Sequence, residues 1–255
     1  MNRSWLPFPA SPEPETQQHA RFPYSDRLRS KPDVTSSGSR TQLSKIGSYA
    51  EIRSDALSFR NMHEYGTLLT KYLEARKNIF LDGLGWHVAE ADGMEFDQYD
   101  SPQAQWIILH RFGEVLGGVR MLPTTAQCGI YSYMLRDAQN GLLDGMPTDI
   151  LFFEAPVEHN VWEATRFFIV NSVSAAQRLE VQKHLFASMA LAASENGAVH
   201  VLGIVPAVWA RWSRRLGVKA TPIGAKFTVD NFASQSVLFK VGDFQNQFPQ
   251  TSQNR

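Results

Sequence analysis

Val161-Trp162-Glu163-Ala164-Thr165-Arg166-Phe167-Phe168-Ile169-Val170 is a strongly apolar run carrying two opposite charges. Its β-branched and aromatic content reads as a buried strand. A charge inside such a strand is costly unless it is paired or used, so Glu163 and Arg166 are the first functional candidates. Simple alternation puts Trp162, Ala164 and Arg166 on one face and Glu163, Thr165 and Phe167 on the other, unless a bulge re-aims them.

Outward from this strand, periodicity sets the neighbours. On the C-terminal side, Val181, Leu185, Met189 and Ala193 mark a helix closed by Asn196-Gly197. Val199 to Val205 is a second buried strand, and Pro206 opens a helix with Val208, Trp212 and Leu216 inward and Gly217 at its end. Phe227, Val229 and Val237 to Val241 supply the last edge. On the N-terminal side, Gln105–Arg111 and Val115–Met121 flank Phe112-Gly113-Glu114 as a hairpin. Leu68, Leu69, Tyr72, Ala75, Ile79 and Phe80 recur at helical spacing up to Gly83 and Gly85, and Ala56–Met62 reads as a strand. Residues 122 to 150 form a loop-rich excursion with one short helix. The irregular alternation of strands and helices predicts an α/β (α+β) fold, a mixed sheet with helices on its faces.

The chain has 255 residues, 43% of them hydrophobic, enough for a sizeable core, which excludes a disordered or collagen-like chain. Lys plus Arg and Asp plus Glu both total 25, so no global field attracts nucleic acid or anionic membrane. Residues 1–45 hold 6 of the 13 prolines and 8 serines, a composition expected to form a disordered tail. A domain follows over 46–245, and 246–255 reads as a flexible C-terminus. No stretch reaches the roughly 18 apolar residues of a membrane helix. Prolines break Leu6 to Pro14, so no secretory core is present and a cytoplasmic location is expected. Cys128, the single cysteine, gives no disulfide or CxxC pair and reads as a small buried hydrophobe. The seven histidines are scattered without ligand spacing, and neither a metal nor another cofactor is expected.

A second apolar strand carries a charge, and a separate turn gathers carboxylates. Arg120 ends the strand Gly117-Gly118-Val119-Arg120-Met121-Leu122-Pro123, after two glycines that let a backbone or a ligand come close. Glu95-Phe96-Asp97-Gln98-Tyr99-Asp100 places three carboxylates within six residues. They describe a solvated turn, or an ion-pair network pinning the sheet to the helix that carries Arg76, or, with Arg76, Arg120 and Arg166, a polar pocket for a zwitterion, since guanidinium groups grip carboxylates bidentately. The residues alone leave all three open.

The succession Arg76, Phe80, Trp86, Glu95, Asp97, Asp100, Arg120, Glu163 and Arg166, in the contexts RKNIFLDGLGW, EFDQYD, GGVRMLPTT and WEATRF, resembles the acyl-homoserine lactone synthases, the autoinducer synthase family. The resemblance covers roughly residues 56 to 230. It implies a GNAT-like three-layer αβα sandwich with a mixed, splayed central sheet. It also implies transfer of an acyl group from acyl carrier protein to the amine of S-adenosylmethionine, then lactonisation with release of methylthioadenosine, for quorum sensing. S-adenosylmethionine is then a substrate, not a cofactor.

By the same resemblance Glu163, Asp97 and Arg166 are catalytic, and Arg76, Phe80, Trp86, Glu95, Asp100 and Arg120 bind S-adenosylmethionine. Glu163 is the first choice of general base, because partial burial raises a carboxyl pKa toward neutrality. Its competing role is partner to an arginine that stabilises the sheet, and Asp97 is an alternative proton acceptor. Backbone amides near Phe167 or Phe168 are expected to hold the tetrahedral oxyanion.

A coenzyme A enzyme should carry a glycine-rich turn for the pyrophosphate. Ile169-Val170-Asn171-Ser172-Val173-Ser174-Ala175-Ala176-Gln177-Arg178 has no glycine, which favours the pantetheine arm of a carrier protein. Arg211, Arg214, Arg215 and Lys219, in a segment without acids, suit docking of that acidic partner, or else form a solvated helix face. The interval from Arg120 to Glu163 exceeds the family's, so 122–160 carries an insertion expected to reshape the acyl pocket. Val199 to Val205 lacks the threonine common in makers of 3-oxo products, which favours a plain or 3-hydroxy chain. The rival readings are a diverged GNAT-type N-acyltransferase using acyl-CoA on another small amine, and a non-catalytic module binding S-adenosylmethionine or a carrier protein.

Overall fold

The computed structural model describes residues 52–209, 213, 216–229 and 231–243. The expected tail over 1–45, the C-terminus over 246–255, and Arg211, Arg214 and Arg215 lie outside the described residues. So does Trp212.

Seven strands form one sheet in the order β1-β4-β5-β6-β7-β9-β8. They are β1 (Arg53–Leu57), β4 (Gln105–Arg111), β5 (Glu114–Pro123), β6 (Val161–Ile169), β7 (His200–Pro206), β8 (Thr221–Val229) and β9 (Phe232–Lys240). Short strands β2 (Glu90–Ala91) and β3 (Met94–Glu95) pair separately. Only β6 and β7 run parallel, joined by the long helix α3 (Ala175–Glu195), while every other pairing is antiparallel. Helix α3 packs on one face of the sheet, where Leu185, Phe186 and Met189 meet Val119, Met121 and Val201. Helix α1 (Leu68–Arg76) covers the other face, where Tyr72 and Leu73 join Trp106, Ile108 and Phe168. The result is the expected three-layer αβα arrangement with a mixed sheet.

That sheet is splayed. Strands β6 and β7 are paired only from Val161↔His200 to Ala164↔Gly203, after which β6 runs on to Ile169 and β7 to Pro206 without each other. The split starts where β6 also changes phase. Its register with β5 shifts between Gly118 and Arg120, and Arg166 adopts φ 56°. The bulge turns Phe167 onto the α3 face with Trp162 and Ala164, and leaves Arg166 reaching groups on the α1 face. Strict alternation is therefore corrected: Arg166 lies with Glu163 and Thr165, not opposite them.

Several local expectations shift for identifiable reasons. Strand β1 stops at Leu57 instead of running from Ala56 to Met62. There the Asn61 side chain accepts the Ser58 N–H at 2.7 Å and donates to the Ala56 carbonyl at 3.0 Å, closing a turn. The first helix is α-helical only to Arg76 and continues as a π-helical stretch, Lys77–Gly83, that keeps Phe80 buried. After β7, Val208 is exposed and its neighbour Trp209 packs against the core instead, while Leu216 is buried as expected. Cys128 is exposed, not buried, because it heads a tight turn in which its N–H and carbonyl both pair with Tyr131 around Gly129 at φ 61°. The excursion after β5 holds one short helix, α2 (Met134–Gln139).

Close packing fixes the two glycines before Arg120. A Cβ on Gly118 would lie 2.6 Å from Cε2 of Tyr72, and one on Gly117 would press on the carbonyl oxygen of Phe168. What approaches them is α1 and the bulged strand, not solvent.

Candidate active site

Arg76, at the C-terminal end of α1, is fully buried. Its Nη1 and Nη2 donate to Oδ1 and Oδ2 of Asp100 at 2.7 and 3.0 Å, and its Nε donates to Glu95. Asp100 also accepts the indole N–H of Trp106 at 2.9 Å and the backbone N–H of Asp97 at 3.0 Å. Arg120, fully buried on β5, forks onto Asp97, lies 3.0 Å from Asp100, and donates through Nε to Thr165 Oγ1 at 3.0 Å. Arg166 completes the ring, with Nη2 3.0 Å from Glu95 and 2.9 Å from Asp97.

Three guanidinium groups and three carboxylates thus form one closed network across α1, β3, the turn after it, β5 and β6. A buried charge survives only in such company. Burial alone would raise the carboxyls of Asp97 and Asp100. Arg120 with Arg166 outweighs it at Asp97, and Arg120 with Arg76 outweighs it at Asp100, holding both below the usual carboxylate range. Asp97 is therefore a poor proton acceptor, which weakens the alternative that it serves as the base. The network braces the sheet, and two of its members, Arg166 and Asp97, keep some exposure.

The more exposed of the two is Arg166. Its side chain keeps 11% exposure, against none for Arg76 and Arg120. It sits 5.5 Å from the ring centre of Phe80 and 6.0 Å from that of Trp86. Those rings stack at 4.9 Å, and Phe168 and Phe232 flank them edge-on. The buried Nε1 of Trp86 has no hydrogen-bond partner among the described residues. An aromatic wall, an unused donor and a partly exposed guanidinium lie side by side.

Glu163 stands next to this network without joining it. It is buried, and its oxygens accept the N–H groups of Met134 at 2.9 Å and Leu135 at 2.8 Å, at the start of α2. The arginine-partner role weighed for Glu163 is thus replaced by a grip on a helix terminus, where amide donors favour a carboxylate. Burial nevertheless pushes its carboxyl up to about 7, against the pull of those amides and Arg120 and with Asp137 adding to the rise.

The structure brings together all nine residues of the resemblance, Arg76, Phe80, Trp86, Glu95, Asp97, Asp100, Arg120, Glu163 and Arg166. Lys219 is exposed and far along the chain from them. Sequence reasoning missed Thr165, Trp106 and Tyr99 as parts of the network. Tyr99 lay inside the quoted acidic cluster, but nothing in the pattern showed that its ring would lie under Arg120, 5.5 Å from the guanidinium. It also missed Asp137, one acid in a loop-rich stretch. Among the described residues no group of His, Cys, Asp and Glu could hold a metal ion, and no helix is long and apolar enough to cross a membrane.

The comparisons with known proteins follow the same lines. The autoinducer synthase family model matches residues 61–245. The acyl-homoserine-lactone synthase of Ralstonia nicotianae is 32% identical over 155 residues, 58% of this chain and 70% of that protein. That of Acinetobacter nosocomialis is 26% identical over 190 residues, 72% of this chain and 97% of the other. Among solved structures, the AHL synthase LasI superposes with TM-score 0.64 at 20% identity, covering 80% of this chain and all of its own. BjaI, a CoA-dependent acyl-homoserine lactone synthase solved with SAM and isopentyl-CoA, gives TM-score 0.63 at 21% identity over 79% of this chain and 92% of its own. Fold and relatives together define an acyltransferase with the GNAT-like architecture. Within that class, the chain belongs to the autoinducer synthase family.

Proposed function

We propose that the protein makes an acyl-homoserine lactone from S-adenosylmethionine and an acyl thioester carried by acyl carrier protein. The observation that carries this reading is Arg166 set against the Phe80–Trp86 stack, with Glu163 buried three residues earlier on the same strand and within electrostatic reach of Arg120. The methionine end of the substrate presents a carboxylate, a protonated amine and a sulfonium. A guanidinium pairs with the carboxylate, and an aromatic face accommodates the sulfonium. A carboxyl titrating near neutrality takes the amine proton directly or through one water.

In this reading the freed amine attacks the thioester carbonyl, the tetrahedral oxyanion collapses and the thiol leaves. The substrate carboxylate then attacks its own γ-carbon, the carbon–sulfur bond breaks and methylthioadenosine departs. Arg76, Glu95 and Asp100 act by holding Arg166 and Asp97 in place, since their own polar atoms are already engaged. The bulge near Phe167, where β6 leaves the ladder, supplies the amides proposed for the oxyanion. The thioester enters at the splay between β6 and β7. Glycine is absent from the turn into α3, so a carrier protein is the preferred donor over coenzyme A, with Arg211, Arg214, Arg215 and Lys219 as its docking patch. A cavity of about 180 Å³ at the end of β7, lined in part by Val205, Trp209, Ala220 and Val237 together with the polar Ser213, Lys226 and Gln235, is the space proposed for the acyl tail. No cofactor is required beyond these substrates, and the reaction is assigned to the cytoplasm, where both occur.

The test is direct. Purified full-length protein is incubated with S-adenosylmethionine and matched acyl carrier protein or coenzyme A thioesters, and methylthioadenosine and lactone are measured. Lactone with methylthioadenosine, faster from the carrier thioester, is expected. Acylated amine without methylthioadenosine would point to the other N-acyltransferase reading, and binding without turnover to a non-catalytic module.

A further inference from the structure

The base proposed above is held by a part of the chain outside the nine residues of the family resemblance. Helix α2 offers its first amides to Glu163, and it also carries a second buried carboxyl, Asp137. Asp137 accepts the Ser132 N–H at 3.1 and 3.0 Å on its two oxygens, the Ser132 hydroxyl at 2.7 Å and the Tyr99 hydroxyl at 3.0 Å. Every one of these donors is neutral. Tyr99 in turn belongs to the acidic turn, where its backbone N–H donates to Asp97 Oδ1 at 2.8 Å and its ring lies under Arg120. A continuous path therefore runs from Glu163 through α2 to Asp137, Tyr99 and Asp97, and closes through Arg120 on β5.

We propose that Asp137 is a positioning residue for acyl transfer: it locks the start of α2 against Glu163 and ties it to the Asp97–Asp100 turn through the Tyr99 hydroxyl. The inference rests on the acyl-homoserine lactone reading for its catalytic consequence, but its structural content stands without it. A buried carboxylate taking only hydroxyl and amide donors is worth its desolvation where it fixes a geometry. Here it fixes two segments that no β-ladder joins. Being negative, it also opposes ionisation of Glu163. The groups that face Glu163 are Arg120 from β5, Asp137 from α2, Tyr133 just before α2 and Tyr99 from the acidic turn. Arg120 favours the carboxylate, and Asp137 is the fixed charge that disfavours it.

Two variants of the full-length protein separate the roles. Asp137→Asn keeps the shape, removes the charge and replaces one of the two accepting oxygens, each of which takes two of the contacts, by an amide donor. Tyr99→Phe leaves the charge and cuts only the link to the acidic turn. Carboxyl titration of selectively carbon-13-labelled Glu163 by NMR is expected to give a midpoint lower by about half a unit to one unit in Asp137→Asn and unchanged in Tyr99→Phe. The acidic limb of the kcat/KM profile should move with it. Tyr99→Phe should instead raise KM for S-adenosylmethionine by about tenfold with kcat nearly kept, from misplacement of the turn. An Asp137→Asn midpoint equal to wild type, in a protein with the wild-type circular dichroism spectrum, would overturn the proposal. If that variant does not fold, an unaltered KM in folded Tyr99→Phe would overturn it. Inactive wild-type protein that still shows the titration shift would sink the lactone reading and leave the positioning role standing.

Discussion

Arg166 reaches Glu95, with Nη2 3.0 Å from Oε1, only because its own backbone stands at φ 56°, outside the strand conformation of its neighbours. A left-handed, non-glycine residue in a central strand costs of the order of 1–3 kcal/mol, and such strain persists where the surroundings over-determine it. Here Glu95 and Asp97 hold the guanidinium, Gly117 makes room for the displaced backbone, and the sheet splays immediately beyond. One local irregularity thus re-aims a charged side chain and opens the cleft in which the acyl donor is proposed to enter.

Asp100 accepts hydrogen bonds from Arg76, Trp106 and the Asp97 backbone and pairs with Arg120. Asp100→Ala leaves Nη1 and Nη2 of the buried Arg76 without their acceptors and takes one carboxylate from Arg120, and is expected to cost about 3–5 kcal/mol of stability. Urea unfolding followed by tryptophan fluorescence checks it; a loss under about 1 kcal/mol, the level of an exposed pair, would show that the network is not a coupled unit.

Gly117→Ala pushes a methyl group against the Phe168 carbonyl and the Ile169 side chain. Overpacking of that kind costs roughly 1–3 kcal/mol, and it shifts the bulge that aims Arg166. Activity should fall further than stability. Thermal melts paired with initial rates test this, the contrary result being a variant that melts lower yet turns over at the wild-type rate per folded molecule.

The Glu163 carboxyl, pushed up to about 7 by burial, sets a sign for the pH dependence of stability. The folded state holds this proton more tightly than the unfolded chain, so its contribution is complete below the ordinary glutamate pKa and drains away as pH rises toward 7. The slope between pH 5 and 7 is about −1.4 kcal/mol per unit from this group. Asp97 and Asp100, held below their usual range, work in the opposite sense and lose their contribution only as pH falls below about 4. Urea midpoints measured from pH 5 to 7 should decline in the wild type and flatten in Glu163→Gln. The same variant should lose two to four orders of magnitude in kcat, about the usual worth of a general base. Near-wild-type turnover would remove Glu163 from the chemistry.

Trp86 stacks on Phe80, and its N–H has no partner among the described residues. Trp86→Leu should raise the KM for S-adenosylmethionine by about tenfold, the worth of a desolvated cation–π contact, with little change in KM for the acyl thioester. Steady-state kinetics with each substrate varied separately measures the contrast. Equal effects on both would mean that the ring serves packing alone.

Much of the architecture was legible in the chain itself. The hairpin around Phe112-Gly113, the long helix closed by Asn196-Gly197 and the strand at Val161 follow from periodicity and turn residues, whose effects act within a few positions. Where side-chain capping or packing intervened, local reading slipped. Asn61 ended β1 early, and Trp209 took the inward place expected of Val208, because the free energy of burial is decided by neighbours remote in sequence. At the site, the cost of burying charge singled out Glu163, Arg166 and Arg120 from the sequence, while the acidic cluster stood out only by its density of carboxylates. Their pairing was not legible, since three acids and three arginines can be matched in several ways.

The sequence by itself determined that Glu163, Arg166 and Arg120 interrupt apolar strands of a mixed sheet with helices on its faces, because hydrophobic periodicity and the desolvation of ions are properties of each residue and its near neighbours. Only the tertiary structure decided which charge faces out and which is locked in. That choice was made by a bulge at Arg166 and by a short helix seated on Glu163, features that arise when β6 is pressed between β5, α1 and α2 and that no stretch of the chain encodes alone.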